Sequence, residues 1–223
     1  MLAIAGPAYQ LGVLPLSFAF GVLRWAAYVG IVAAIANAIV VVLAYRGGQR
    51  LRLALSVVAI VIAIGTIAVP LRWQLAAKAA PPIHDISTDL QNPPSFSAIL
   101  PLRQGAANGL DRPAATNAAQ RQFYGDIQPI TLPMPREEVF EEAYELMQER
   151  EWQVINADKD KGIIEATDST PWFGFKDDVV VRLTPWGSGT RVDMRSVSRI
   201  GVSDIGTNAK RVRDYLNDLK RGK

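Results

Sequence analysis

Cysteine is absent from the 223 residues, which excludes disulfides, thiolate metal sites and cysteine nucleophiles. Histidine occurs once, at His84, so no His-x-x-His ligand spacing exists. Acidic residues are missing from the front of the chain: all 21 lie at or beyond Asp85. Residues 1–79 hold only six charged side chains, all basic: Arg24, Arg46, Arg50, Arg52, Arg72 and Lys78. Residues 80–223 therefore carry 18 basic and 21 acidic groups, and this slightly acidic piece is unsuited to a nucleic-acid backbone. There is also no nucleophile-elbow motif, no phosphate-cradling glycine loop and no repeat of solenoid length.

What is present at the front is apolar. Trp25 to Tyr45 gives 21 uncharged residues and Leu53 to Leu71 gives 19. Each is close to the ~20 that cross the hydrocarbon core as a helix. Only Arg46-Gly-Gly-Gln-Arg-Leu-Arg52 separates them, so residues 1–78 read as a membrane region with spans at about 25–45 and 53–71. The uncharged segment 3–23 is broken by Gly6-Pro7, Gly12 and Pro15. It spans, re-enters, or is a signal peptide, and the last fits least because a basic n-region is missing. The cluster Arg46, Arg50 and Arg52 places that loop in the cytoplasm and the polar piece outside, which in a bacterial cell means the inner membrane and the periplasm. Trp25, Tyr28, Tyr45 and Trp73 sit near span ends as interfacial aromatics. Ala33, Ala34, Ala36 and Ala38 offer a helix-packing surface, and Asn37 is expected to be captured by a neighbouring helix. Neither span carries an ionisable side chain, which disfavours a transporter.

Residues 79–125 are rich in Pro, Asn, Gly and Ala without a period of 2 or 3.6. They are expected to wrap the later core, pinned by Phe96, Ile99, Leu100 and Leu102, with a short helix near Asp111–Gln122. Residues 126–223 show a strand at Asp126–Leu132, then a helix from Pro135 to about Arg150. Its buried stripe is expected at Phe140, Ala143, Tyr144 and Met147. Strands follow at Trp152–Asn156, Gly162–Asp168, Asp178–Thr184 and Thr190–Ser198. Alternation puts Val179, Val181, Leu183, Val192 and Met194 on one face. Arg182, Arg191, Asp193 and Arg195 fall on the opposite, wetter one, with Arg182 beside Asp193. A last helix runs from about Asp204–Asn208 to Lys220 with an apolar stripe at Val212, Tyr215, Leu216 and Leu219. The order strand, helix, four strands, helix implies an α+β domain: an antiparallel sheet with two helices on one face and the other face free to meet water, membrane or a partner.

The densest chemistry lies at Phe173-Gly-Phe-Lys-Asp-Asp178 and from Arg195 to Arg211. Phe175, Asp177, Asp178 and Val179, followed by Arg195, Ser196, Ser198, Arg199, Gly201, Ser203, Asp204, Gly206, Asn208, Arg211 and Val212, resemble the domain-of-unknown-function family numbered 1499. The resemblance covers about residues 80–223. Ile83-His-Asp-Ile-Ser-Thr-Asp89 is similar to the family's opening segment in variant form, without the Asn-Cys-Val-Ser-Ser many members carry. It implies the fold and membrane association; the family name implies no activity.

Two arrangements of these residues are physically open. Arg195, Arg199 and Arg211 with the following helix N-terminus form an anion site for a phosphate or carboxylate, such as a lipid headgroup or glycan acid. Asp177, Asp178, Ser196, Asp204 and Asn208 would line it. Alternatively Asp204 or Thr207 caps the helix while Asp177 and Asp178 neutralise the arginines in a rigid knot. An enzyme would have to rest on His84 with Asp85 and Asp89, or on a Ser-His-Asp set written from Ser87 or Ser196. Asp158 and Asp160 lack the spacing of a calcium loop and suit a hairpin turn. The expectation is a membrane-anchored envelope protein whose extracytoplasmic domain binds or scaffolds an envelope lipid, glycan or membrane protein. No nucleic acid, cofactor, metal or catalytic residue is expected. The alternative is an enzyme acting on an envelope lipid or glycan.

Overall fold

A computed structural model describes residues 2–222, which divide into two units. The first comprises residues up to Ala79 together with the short segment Pro171–Gly174. Its helices are α1 (Leu2–Gln10), α2 (Leu16–Arg46) and α3 (Arg50–Ala79). At 1.5 Å per residue α2 and α3 are each about 45 Å long, more than the ~30 Å hydrocarbon core of a bilayer. The nine residues of α1 reach only about 13 Å and cannot cross alone. Gly12, at φ 69°, and the extended Pro15 that precedes α2 make the break.

The packing surface of α2 is Ala19, Leu23, Ala26 and Gly30, with Ala44 further on, against Ser56 and Ala63 of α3. The alanines expected to pack do not form it: Ala36 and Ala38 are exposed, and Ala33 and Ala34 only half-buried. The rotation of α2 is set by Gly30, where a Cβ would come within 2.2 Å of Thr66 Oγ1. Asn37 is likewise not captured by a neighbour; its Nδ2 donates to the Ala33 carbonyl one turn back, at 2.9 Å. Phe173 is buried among Tyr9, Phe20, Trp73 and Trp172, with ring centroids 5.3–6.0 Å apart. Gln10 Nε2 donates to the Pro171 carbonyl at 2.9 Å.

The second unit is an α+β domain around one six-stranded antiparallel sheet. Its strands are β1 (Asp85–Ser87), β2 (Ile130–Leu132), β3 (Gln153–Asp158), β4 (Ile163–Ser169), β5 (Lys176–Trp186) and β6 (Gly189–Ser198). They are ordered β1-β6-β5-β4-β3, with β2 also on β6, further along the edge that β1 occupies. The helices are α4 (Ala114–Phe123), α5 (Arg136–Glu149) and α6 (Thr207–Arg221). Val179, Val181 and Leu183 of β5 and Val192 and Met194 of β6 lie in one core with α5 and α6. Here α6 contributes Val212, Tyr215, Leu216 and Leu219. On α5 the stripe turns slightly from expectation: Val139 and Leu146 join Phe140, Ala143 and Met147 in the core, while Tyr144 is only half-buried. Tyr215 stacks on Trp152 at 5.4 Å and donates to the Ala143 carbonyl at 2.6 Å, joining α6 to α5. The strand expected from Asp126 is confined to three residues, Ile130–Leu132.

The opposite face is not free. Residues 88–112 fold across it and bury Phe96 and Ile99 against Val180 and Val197, with Leu110, Ile155 and Ile163 around them. Asp193 and Arg195, expected on a wet face, are accordingly 1% and 5% exposed. Glu165 anchors this cover: its carboxylate accepts from the Ser97, Ala98 and Ile99 amides at 2.9–3.0 Å and from the Ser97 hydroxyl at 2.5 Å.

Candidate functional site

Asp177 and Asp178 are successive residues of β5, so their carboxylates leave opposite faces of the sheet. Asp177 meets Arg211 of α6 at 2.6 Å. Arg211 also reaches Asp168 at 2.8 Å and donates to Ser196 Oγ at 3.1 Å and to Asn208 Oδ1. Ser196 donates to Asn208 Oδ1 at 2.6 Å, and Asn208 Nδ2 donates to the His84 carbonyl and Ser198 Oγ. This group joins α6 to the ends of β4, β5 and β6 and to the residue preceding β1.

Asp178, on the covered face, accepts from Arg199 Nε and Nη2 at 2.9 and 2.8 Å, from Arg103 at 2.5 Å and from Thr167 at 2.7 Å. Burial alone would raise its pKa, but the Arg199 and Thr167 hydrogen bonds and the two guanidinium groups hold it below the ordinary carboxylate value. Arg195 of β6 pairs with Asp85 of β1 through Nε and Nη2, at 3.1 and 2.8 Å. Arg112 meets the same carboxylate at 2.6 Å, and burial lowers the pKa of its guanidinium.

Asp204 caps α6. Its carboxylate accepts from the Gly206 and Asn208 amides at 3.1 and 2.5 Å, two of the groups that a helix start leaves unpaired. Burial, opposed by these bonds, raises its pKa, and the Asp177 charge adds to the rise. Ile205 at φ 55° and Gly206 at φ 80° turn the chain into the helix.

The eight residues singled out from sequence thus fall into separate groups. Asp177, Ser196, Asn208 and Arg211 meet directly, with Asp204 at their edge; Asp178 and Arg199 meet on the opposite face; Arg195 belongs to a third group. The three arginines do not converge on one point. Sequence reasoning missed Arg103, Arg112, Thr167 and Glu165. A run without periodicity gives no register for the first two, but strand alternation placed Thr167 and Glu165 on one face. His84 Nδ1 lies 3.4 Å from the Val202 carbonyl, Asp85 faces two arginines, and Asp89 accepts from the Gln91 and Asn92 amides and from Arg191. Ser87 Oγ donates to the Asp89 carbonyl. Among the described residues no three His, Asp or Glu side chains are grouped to hold a metal ion.

A protein-family profile matches residues 85–219; the family is described as "Protein of unknown function (DUF1499)". No curated protein matches the chain.

Proposed function

The chain belongs to the DUF1499 family, and from that premise we propose that it is a membrane-anchored protein of the bacterial envelope whose extracytoplasmic domain is a non-enzymatic binding or scaffolding module. The anchor is the pair α2 and α3, each long and apolar enough to cross a membrane. The observation that carries the scaffolding role is the internal use of polar groups: among the described residues, Arg150 Nε is the one buried side-chain nitrogen or oxygen without a hydrogen-bond partner. A reactive centre keeps an acid, base or anion receptor for its substrate; here the buried arginines and aspartates are committed to one another. Part of what the domain leaves open is apolar. Leu100, Leu102 and Ile205 are about half exposed and Val202 largely exposed, the last two on the neighbouring loop to which Asn108 is bonded through the Gly201 carbonyl. Such residues suit contact with lipid or a membrane-protein partner.

Titration with inorganic phosphate and with phosphatidylglycerol liposomes tests this reading. Arg199→Ala is expected to lower the denaturation midpoint and leave both binding curves as they are for the wild type. Binding to the wild type that is lost in Arg199→Ala, with stability unchanged, would convert the Asp178 group into an anion site and defeat the scaffold role.

A further inference from the structure

The cover over the second sheet face stops short of the β5–β6 hairpin end, and a cleft of about 260 Å³ opens there. Arg182, Thr184 and Trp186 alternate along β5, and Arg191 and Asp193 along β6 face them in the register Arg182↔Asp193 and Thr184↔Arg191. All five side chains therefore project from one face. Asp89 and Asn92 supply the wall.

Three features make this more than a gap between strands. First, Trp186 is 58% exposed, whereas the domain's other tryptophan in a strand-bearing region, Trp152, is 7% exposed. Tryptophan offers a large apolar plane, and leaving it in water is unfavourable unless something covers it. Second, the charges cancel: Arg182 and Arg191 are held by Asp193 and Asp89 at 3.0–3.6 Å, so the cleft attracts neither sign strongly. Third, hydrogen-bonding capacity remains. Arg182 Nε and Nη1, Arg191 Nη1, the Asn92 side-chain Nδ2 and the Thr184 hydroxyl have no partner among the described residues, the Asn92 backbone amide being taken by Asp89. The Asp89 turn and the ion pairs fix these groups before any ligand arrives, and the Arg191 guanidinium lies 5.8 Å from the Trp186 ring centre.

We propose that this cleft binds one pyranose ring of an oligosaccharide, with the sugar's C–H face on Trp186 and its ring substituents accepting from Arg182, Arg191 and Asn92. A sugar ring matches each feature: an apolar face, oxygen acceptors around its rim, and no need of net charge. The volume suits one small group and is below the range of drug-sized ligands. The proposal rests on the non-enzymatic binding reading and names its ligand class.

The full chain in lipid nanodiscs, free of sugar-headed detergent, is titrated with chitotetraose, trigalacturonate and inorganic phosphate while tryptophan emission is followed. At least one oligosaccharide is expected to bind, with affinity about tenfold weaker or worse in Trp186→Ala and in Asn92→Ala. Both variants are expected to melt as the wild type does. If Trp186→Ala does not fold, Asn92→Ala, on an exposed turn, decides alone. The proposal is overturned by absence of sugar binding up to about 10 mM, by binding that both variants retain, or by phosphate binding as well as the sugars do. Chromatography of the recovered sugar separates the two readings. Cleavage would refute the non-enzymatic role and leave the site standing, whereas failure to bind removes the site and leaves that role untouched.

Discussion

Glu165 is fully buried and, among the described residues, forms no ion pair. Four donors from Ser97, Ala98 and Ile99 replace its hydration, and in doing so they fix where the cover crosses the sheet. Glu165→Gln keeps the shape but turns one acceptor into a donor facing an N–H group. It should cost about 2 kcal/mol in a denaturant titration. Hydrogen exchange should accelerate at the Ala98 and Ile99 amides, with α5 and α6 unchanged. Asp178 behaves differently because it holds two arginines. Its pKa is lowered on folding, so its contribution is complete above the unfolded value near pH ~4 and is lost as pH falls through the folded value. Asp178→Asn should therefore lose about 3 kcal/mol at neutral pH and show a shallower acid limb than the wild type. Asp204 has the opposite sign: its raised pKa adds stability at low pH that is lost as pH rises through the folded value. A pH series of denaturant midpoints on Asp178→Asn, Asp204→Asn and wild type separates the two slopes.

At the scale of elements, the close approach of α2 and α3 depends on the missing Cβ at Gly30. Gly30→Leu should lower the thermal midpoint of the detergent-solubilised chain and speed cleavage in the 47–49 turn. Gly21→Leu, where an added Cβ meets nothing within 4 Å, should leave both unchanged. The α5 and α6 stripes and the pairing of Arg182 with Asp193 were readable because periodicity and a tight hairpin fix faces and register. The three residues of β1 are too few to show a period, and residues 88–112 are held by individual hydrogen bonds that leave no repeating pattern. The packing face of α2 was misread because an all-round apolar helix carries no moment, and small residues occur on several sides. In the candidate site, the residues singled out by spacing lie in separate groups of polar contacts and do not meet at one point. Their division between two faces was already implied by Asp177 and Asp178 being neighbours in a strand.

For the molecule as a whole, the charge partition is the dominant fact: a front end with no acid, and a domain that holds every one. In the proposed orientation, Arg46, Arg50 and Arg52 keep the α2–α3 turn in the cytoplasm. The lack of native cysteine makes single-cysteine labelling unambiguous. Ser188→Cys, at the exposed hairpin tip, should react with an impermeant maleimide added to intact spheroplasts. Gln49→Cys should react only after lysis. The reverse pattern would place the domain in the cytoplasm and remove the envelope from the account.

The adjacency of Asp177 and Asp178 constrains how the gene can change. Inserting or deleting one codon between Val179 and the start of β5 would send each carboxylate through the sheet, stranding Arg211 and Arg199 in a single event. Length polymorphism should therefore be confined to the exposed Gly187-Ser188 tip, and a deep insertion scan would show a silent gap along β5 flanked by permissive positions.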